Sequence, residues 1–95
     1  MPDEGLAQEE LDAMRRRCEA ARPGPWASLI EGRDHVSGSS FIMVGEGPAR
    51  SEDIELTGAT DADQDFIASS RRDVVRLLDE VARLRRLLGA IDTRS

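Results

Sequence analysis

The C-terminal third of the chain carries apolar residues at alternating steps of three and four. They are Val74, Leu77, Val81, Leu84, Leu88 and Ile91. Since an α-helix has about 3.6 residues per turn, this spacing keeps their side chains on one helical face. Thr60 is a predicted N-cap, and Asp61 and Asp63 follow in the first turn, where the helix dipole favours acids. The pattern therefore predicts a helical segment over residues 61–91.

Two residues of that segment predict an interruption or an end of the helix. Asp73 could cap a second helix, so we predict a bend near Ser70–Asp73, with one continuous helix as the alternative. Gly89 is of the residue type that commonly follows a helix C-terminus, so we expect the helix to end there.

The apolar stripe also predicts association. With Val74 at position a of a heptad, β-branched residues fall at a and leucines at d, which favours a parallel two-stranded coil. In that register Glu80 and Arg85 could pair between chains. Leu78 and Ala82 widen the stripe, as suits a helix that covers its own sheet on one side and a second copy on the other. We predict a homo-oligomer, most simply a dimer, with interface residues Val74, Leu77, Leu78, Val81, Leu84 and Leu88. A helix that packs only within its own chain is the alternative.

The rest of the chain predicts an α+β domain. Residues 8–21 have a narrow apolar stripe and end at a Pro-Gly-Pro sequence, which predicts an N-terminal helix. Short β-prone runs follow at 26–31, 40–44 and 53–57, separated by loops rich in glycine, serine and proline. These runs predict a three-stranded antiparallel meander over residues 26–57. We expect one small domain over 1–95, with residues 1–7 disordered.

Composition narrows the class of protein. The net charge of −6 argues against nucleic-acid binding. No apolar run is long enough for a membrane crossing, and the acidic N-terminus is unlike a secretion signal, so we expect a cytoplasmic protein. Cys18 is the sole cysteine. The acids Asp61, Asp63 and Asp65 lack the glycine and glutamate of a calcium loop, so we expect neither a metal nor a cofactor.

The loop after the first β-run holds the candidate polar site. Asp34 precedes His35, the only histidine, and Ser37 and Ser39 follow. An acid, a histidine and serines invite comparison with a nucleophilic triad, but a hairpin loop needs the same polar residues, so we do not expect an enzyme. These side chains, with Trp26 and Arg33, could instead line a pocket between subunits that binds a small anionic, nucleotide-like ligand.

The motifs Pro23–Trp26 (PGPW) and Ala62–Arg85 (ADQDFIASSRRDVVRLLDEVARLR) resemble a group of short uncharacterised bacterial and phage-borne proteins. The group is similar to early-region accessory proteins of temperate phages. Its members often have proline where this chain has Val75, and the lack of that proline argues against the predicted bend. The resemblance implies the same architecture and no particular activity. We expect a noncatalytic oligomeric adaptor with an unidentified protein partner, and a small-anion binder as the alternative.

Overall fold

The computed structural model describes residues 5–94 of the 95-residue chain, with side chains for residues 5–90. The side chain of Ile91, predicted to lie on the apolar stripe, is therefore outside the described residues. Residues 1–4 of the segment predicted to be disordered are outside them as well. The elements in chain order are helix α1 (Gln8–Ala20), strands β1 (Trp26–Leu29) and β2 (Phe41–Val44), a 3-10 helix (Gly47–Ala49) and helix α2 (Asp61–Arg94). The fold is α+β, with an antiparallel sheet and a long C-terminal helix.

The described residues form a sheet of two strands, so the predicted three-stranded count is wrong. In the run 53–57, Ile54 alone pairs with β2, through two backbone hydrogen bonds with Ile42 of 2.8 and 2.9 Å. The residues on either side of Ile54 are acidic and exposed, and Asp53 binds Arg50 instead of extending a ladder. The side chains of Ile54 and Leu56 hold this segment against the core, with a single backbone bridge at Ile54.

Helix α2 begins with a reciprocal cap. The amide of Asp63 donates to the hydroxyl of Thr60, and the amide of Thr60 donates to the Asp63 carboxylate, each at 3.0 Å. This confirms the predicted N-cap. The helix is continuous through Ser70–Asp73, so Asp73 caps no second helix, and it runs past Gly89 to Arg94, so the end predicted at Gly89 is wrong. A glycine costs a helix only about 1 kcal/mol relative to alanine, which does not end one this long.

The core lies where α2 crosses the sheet. Ile42 and Val44 of β2 and Ala68 of α2 are buried, and Trp26, Ile54 and Leu56 pack against them. In the antiparallel register Trp26 pairs with Val44 and Ser28 with Ile42. Alternate residues of each strand therefore face α2.

Helix α1 lies antiparallel along the second half of α2. Arg15 of α1 pairs with Asp79 at 3.0 Å, and Arg85, nearly two turns further along α2, binds Gln8 at the start of α1. Leu11 and Leu78 are the buried apolar residues of this contact. The N-terminal half of α2 thus covers the sheet, and α1 covers one face of α2 from about Leu78 to Arg85.

Candidate functional site

The guanidinium of Arg33 donates four hydrogen bonds to two carboxylates of its own chain. It makes a bidentate pair with Asp65 of α2 at 2.9 and 3.1 Å, and Nε and Nη2 donate to Asp34 at 3.0 and 2.8 Å. Hydrogen bonding by Arg33, and secondly by Ser28, lowers the pKa of Asp65 to about 2. The same guanidinium lowers the pKa of Asp34, and the two carboxylates raise the pKa of Arg33. This cluster carries a net negative charge and offers no spare cation to an anionic ligand.

The predicted triad residues are close together without forming a triad. The Asp34 carboxylate accepts from the amide of Ile30 at 2.8 Å and from Arg33. His35 Nδ1 accepts from the amide of Ser37 at 3.1 Å, and the Ser37 hydroxyl lies 2.7 Å away. The proton of the neutral ring is therefore on Nε2, which is buried without a hydrogen-bond partner among the described residues. Asp34 therefore holds the loop backbone through the amide of Ile30 and does not orient the imidazole of His35. Holding the backbone is the role expected of an aspartate in a hairpin loop.

The remaining residues of the predicted polar site do not converge. Ser39 is exposed near the end of the loop, two residues before β2. Trp26 pairs with Val44 at one end of the sheet, whereas the loop leaves from the other end, where Leu29 pairs with Phe41. The His35 ring instead contacts Phe41, with centroids 5.1 Å apart. Trp26 therefore belongs to a different surface from Arg33 and His35.

The predicted interface residues of α2 separate into covered and exposed sets. Leu78 is 6% exposed and Val74 and Val81 are half-buried. Leu77, Leu84 and Leu88 are 65%, 44% and 61% exposed, and Phe66, one further residue of the same face, is 75% exposed. We call Phe66, Leu77, Leu84 and Leu88 the exposed row. It is the largest set of solvent-exposed apolar side chains that the described part of α2 places on one face.

A groove borders the exposed row on the side of α1. It has a volume of about 400 Å³, and its lining includes Met14 and Cys18 of α1, Val74 of α2 and the ring of Trp26. The lining also has polar side chains, from Arg17, Ser70 and Arg71. The half-buried Val74 lies between the groove and Leu77 of the exposed row.

Gln64 is a structural residue that the sequence pattern did not identify. It is 4% exposed, and its side-chain Nε2 lies 3.0 Å from Ser28 Oγ, 3.3 Å from the Leu29 carbonyl and 3.1 Å from the Phe41 carbonyl, so its two N–H groups are shared among three acceptors. It ties α2 to both strands. The sequence did contain a sign that Gln64 is buried, because it belongs to a series at steps of four and three that forms the covered face of α2. The series is Gln64, Ala68, Arg71, Val75 and Leu78.

The described residues bring together no group of three or more His, Cys, Asp or Glu side chains that could hold a metal ion. Neither helix in the described range has a stretch apolar enough to cross a bilayer. Comparison with known protein families, with curated proteins and with solved structures finds no match to this chain.

Proposed function

We propose that this protein is a noncatalytic interaction module that self-associates through the exposed row of α2 and serves as an adaptor for another macromolecule. The observation that carries the proposal is the exposure of Leu77, Leu84 and Leu88, leucines on one face of a helix that is already packed on its opposite face. Exposed apolar side chains grouped on one face are typical of an interaction site. These leucines form such a group, and Phe66 is separated from it by about 16 Å of helix that carries Ser70 and Asp73 on the same face.

A second copy of the chain is the occupant that this row fits. A face with a heptad-like repeat is complementary to itself, because side chains of one copy fit between those of the other. The row extends about 33 Å along α2 from Phe66 to Leu88, at 1.5 Å per residue. A chain of this size also buries a limited core of its own, so burial in a dimer adds substantially to its stability.

The position of α1 restricts how two copies can pair. Arg85 donates to Gln8 Oε1 at 3.1 Å and to the carbonyl of Leu6 at 2.6 Å. Glu80 accepts from Arg83 at 2.9 and 2.6 Å, which lowers the pKa of Glu80. Both members of the expected interchain Glu80–Arg85 pair thus have partners in their own chain. We infer that α1 and α2 of each copy meet as a four-helix contact, with the groove at Met14 and Cys18 receiving side chains of the second copy.

Light scattering after size-exclusion chromatography tests the proposal at tens of micromolar protein. The wild-type chain is expected to have the mass of a dimer, and Leu77→Glu/Leu84→Glu that of a monomer with unchanged circular dichroism. Val36→Glu is the matched control, because Val36 is 87% exposed in the loop and lies off the row. A monomeric wild type, or a double variant that remains dimeric, would contradict the proposal.

Binding of a small anion at the Arg33–His35 loop receives less support. The ion pairs of Arg33 with Asp34 and Asp65 leave the loop negative, and a competing anion would have to displace one of them. A thermal-shift screen with nucleotides tests this alternative, which predicts stabilisation that disappears in Arg33→Gln.

A further inference from the structure

A second groove lies on the other flank of α2, between that helix and the Pro23–Trp26 turn. Its volume is about 410 Å³. The apolar part of its lining includes Trp26, Ala68 and Val75, and the polar part includes Arg71, Arg72 and Arg76. At 100° per residue, Arg72 lies about 120–140° around the helix from Leu77 and Leu84, so it is well separated from the exposed row. Arg76 lies about 100° from Leu77 and about 80° from Leu84, and it stands at the boundary between the groove and the row.

The charge of this groove is opposite to that of the molecule. The whole chain has a net charge of −6, yet the described residues that line the groove include three arginines and no carboxylate. Arg72 and Arg76 stand four residues apart on one helix, a spacing at which like charges repel. The nearest acid to Arg72 is Asp73, whose carboxylate is 3.9 Å from Nε, too far for a hydrogen bond.

The third arginine is fixed by the fold. Arg71 Nε donates to the carbonyl of Arg22 at 2.9 Å, and Trp26 Nε1 donates to the same carbonyl at 3.2 Å. Arg22 is held in turn by its own hydrogen bonds to Ser51 Oγ at 2.7 Å and to the Glu52 carbonyl at 2.8 Å. The indole and the Arg71 side chain are therefore held in place before any partner arrives, which lowers the entropic cost of binding.

We propose that this groove binds an acidic peptide segment of a partner protein. Carboxylates of the segment pair with Arg72 and Arg76, and an apolar side chain between them packs against Trp26 and Val75. Tryptophan and arginine are the residue types that dominate binding energy at protein interfaces. Arginine forms bidentate pairs with carboxylates, as Arg33 already does with Asp65 within this chain. The apolar floor favours a peptide over a simple anion, because an anion alone would leave Trp26 and Val75 uncovered.

Trp26 is the only tryptophan, and it lines both this groove and the groove that borders the exposed row on the side of α1. Its fluorescence is therefore followed in Leu84→Glu/Leu88→Glu as well as in the wild type, so that a change caused by self-association is separated from one caused by the peptide. The probe is a synthetic peptide in which Glu alternates with Leu and Phe, and the comparison peptide has Gln in place of Glu. We expect a saturable change in emission with the acidic peptide, weakened by added salt, and no change with the neutral one. In Arg72→Gln/Arg76→Gln the affinity should fall by about tenfold or more.

The charge-matched control is Arg16→Gln/Arg86→Gln, which removes two exposed arginines outside the groove and should bind as the wild type does. Leu84→Glu/Leu88→Glu, which changes two leucines of the exposed row and leaves Leu77 beside Arg76 in place, should also bind normally, so failure of self-association and failure of this site are distinguishable. Equal binding of the two peptides, undiminished binding by the groove variant, or no saturable change would overturn the proposal. Equally tight binding of inorganic phosphate or ATP would assign the groove to small anions and overturn it too.

Discussion

Leu77 and Leu78 are consecutive residues of α2, yet Leu77 is 65% exposed and Leu78 is 6% exposed. The 100° turn between them takes Leu78 under α1 and leaves Leu77 in solvent. The same division continues along the helix, with Ala68 and Gln64 buried and Phe66 exposed. One broad apolar stripe in the sequence thus becomes two surfaces, one that completes the fold and one that remains available to a partner.

Truncation of Leu78 should therefore destabilise the domain itself. We expect Leu78→Ala to lower the free energy of unfolding by about 2–5 kcal/mol, the range for large-to-small changes in a core. Leu87→Ala is the control, since Leu87 is 49% exposed and lies off the exposed row; its effect should stay within about 0.5 kcal/mol. Urea unfolding followed by circular dichroism measures both. Equal losses in the two variants would mean that α1 does not cover Leu78.

Helical periodicity predicted the stripe, the cap at Thr60 and the α+β class, because these depend on residues a few positions apart. It could not show which part of the stripe is covered, since that depends on where α1 docks. The ion pair of Arg33 with Asp65 joins residues 32 positions apart, with no spacing rule to reveal it. The run 53–57 alternates as a strand should, but pairing is a tertiary property, and Ile54 alone meets β2.

Gln64 should contribute to stability through its three acceptors. Gln64→Ala leaves the carbonyls of Leu29 and Phe41 without this donor, and an unsatisfied buried polar group costs about 1–3 kcal/mol. Gln8→Ala is the matched control, because Gln8 is exposed and its bonds are to the exposed side chains of Asp12 and Arg85. Chemical denaturation should show a clear loss for Gln64→Ala and a small one for Gln8→Ala. If the order were reversed, Gln64 would not be the link between α2 and the strands.

The pairing of Asp65 with Arg33 predicts a dependence of stability on pH. The pKa of Asp65 in the folded chain is about 2, below the ordinary value, so its contribution is present above the unfolded-state pKa and is lost as the pH falls towards 2. The difference in unfolding free energy between the wild type and Asp65→Asn should therefore shrink between about pH 5 and pH 2. Urea titrations across this range measure it.

The same comparison in an Arg33→Gln background isolates the pair. There the pH dependence of the difference caused by Asp65→Asn should become much weaker, since the main cause of the lowered pKa is gone and only the smaller effect of the hydrogen bond from Ser28 remains. An unchanged pH dependence in that background would place the cause elsewhere than in Arg33.

Gly45 and Gly58 should respond very differently to the same substitution. Both have positive φ, +75° and +83°, so alanine is strained at either position. At Gly45 a Cβ would also collide with the carbonyl group of Ala49, whereas at Gly58 it would meet open space. We expect Gly58→Ala to cost about 1–2 kcal/mol from the backbone alone and Gly45→Ala distinctly more. Thermal unfolding of the two variants measures the difference, which reports the clash because the backbone strain is common to both. Equal melting temperatures would show that the 3-10 helix at Gly47–Ala49 can move away from β2 at little cost.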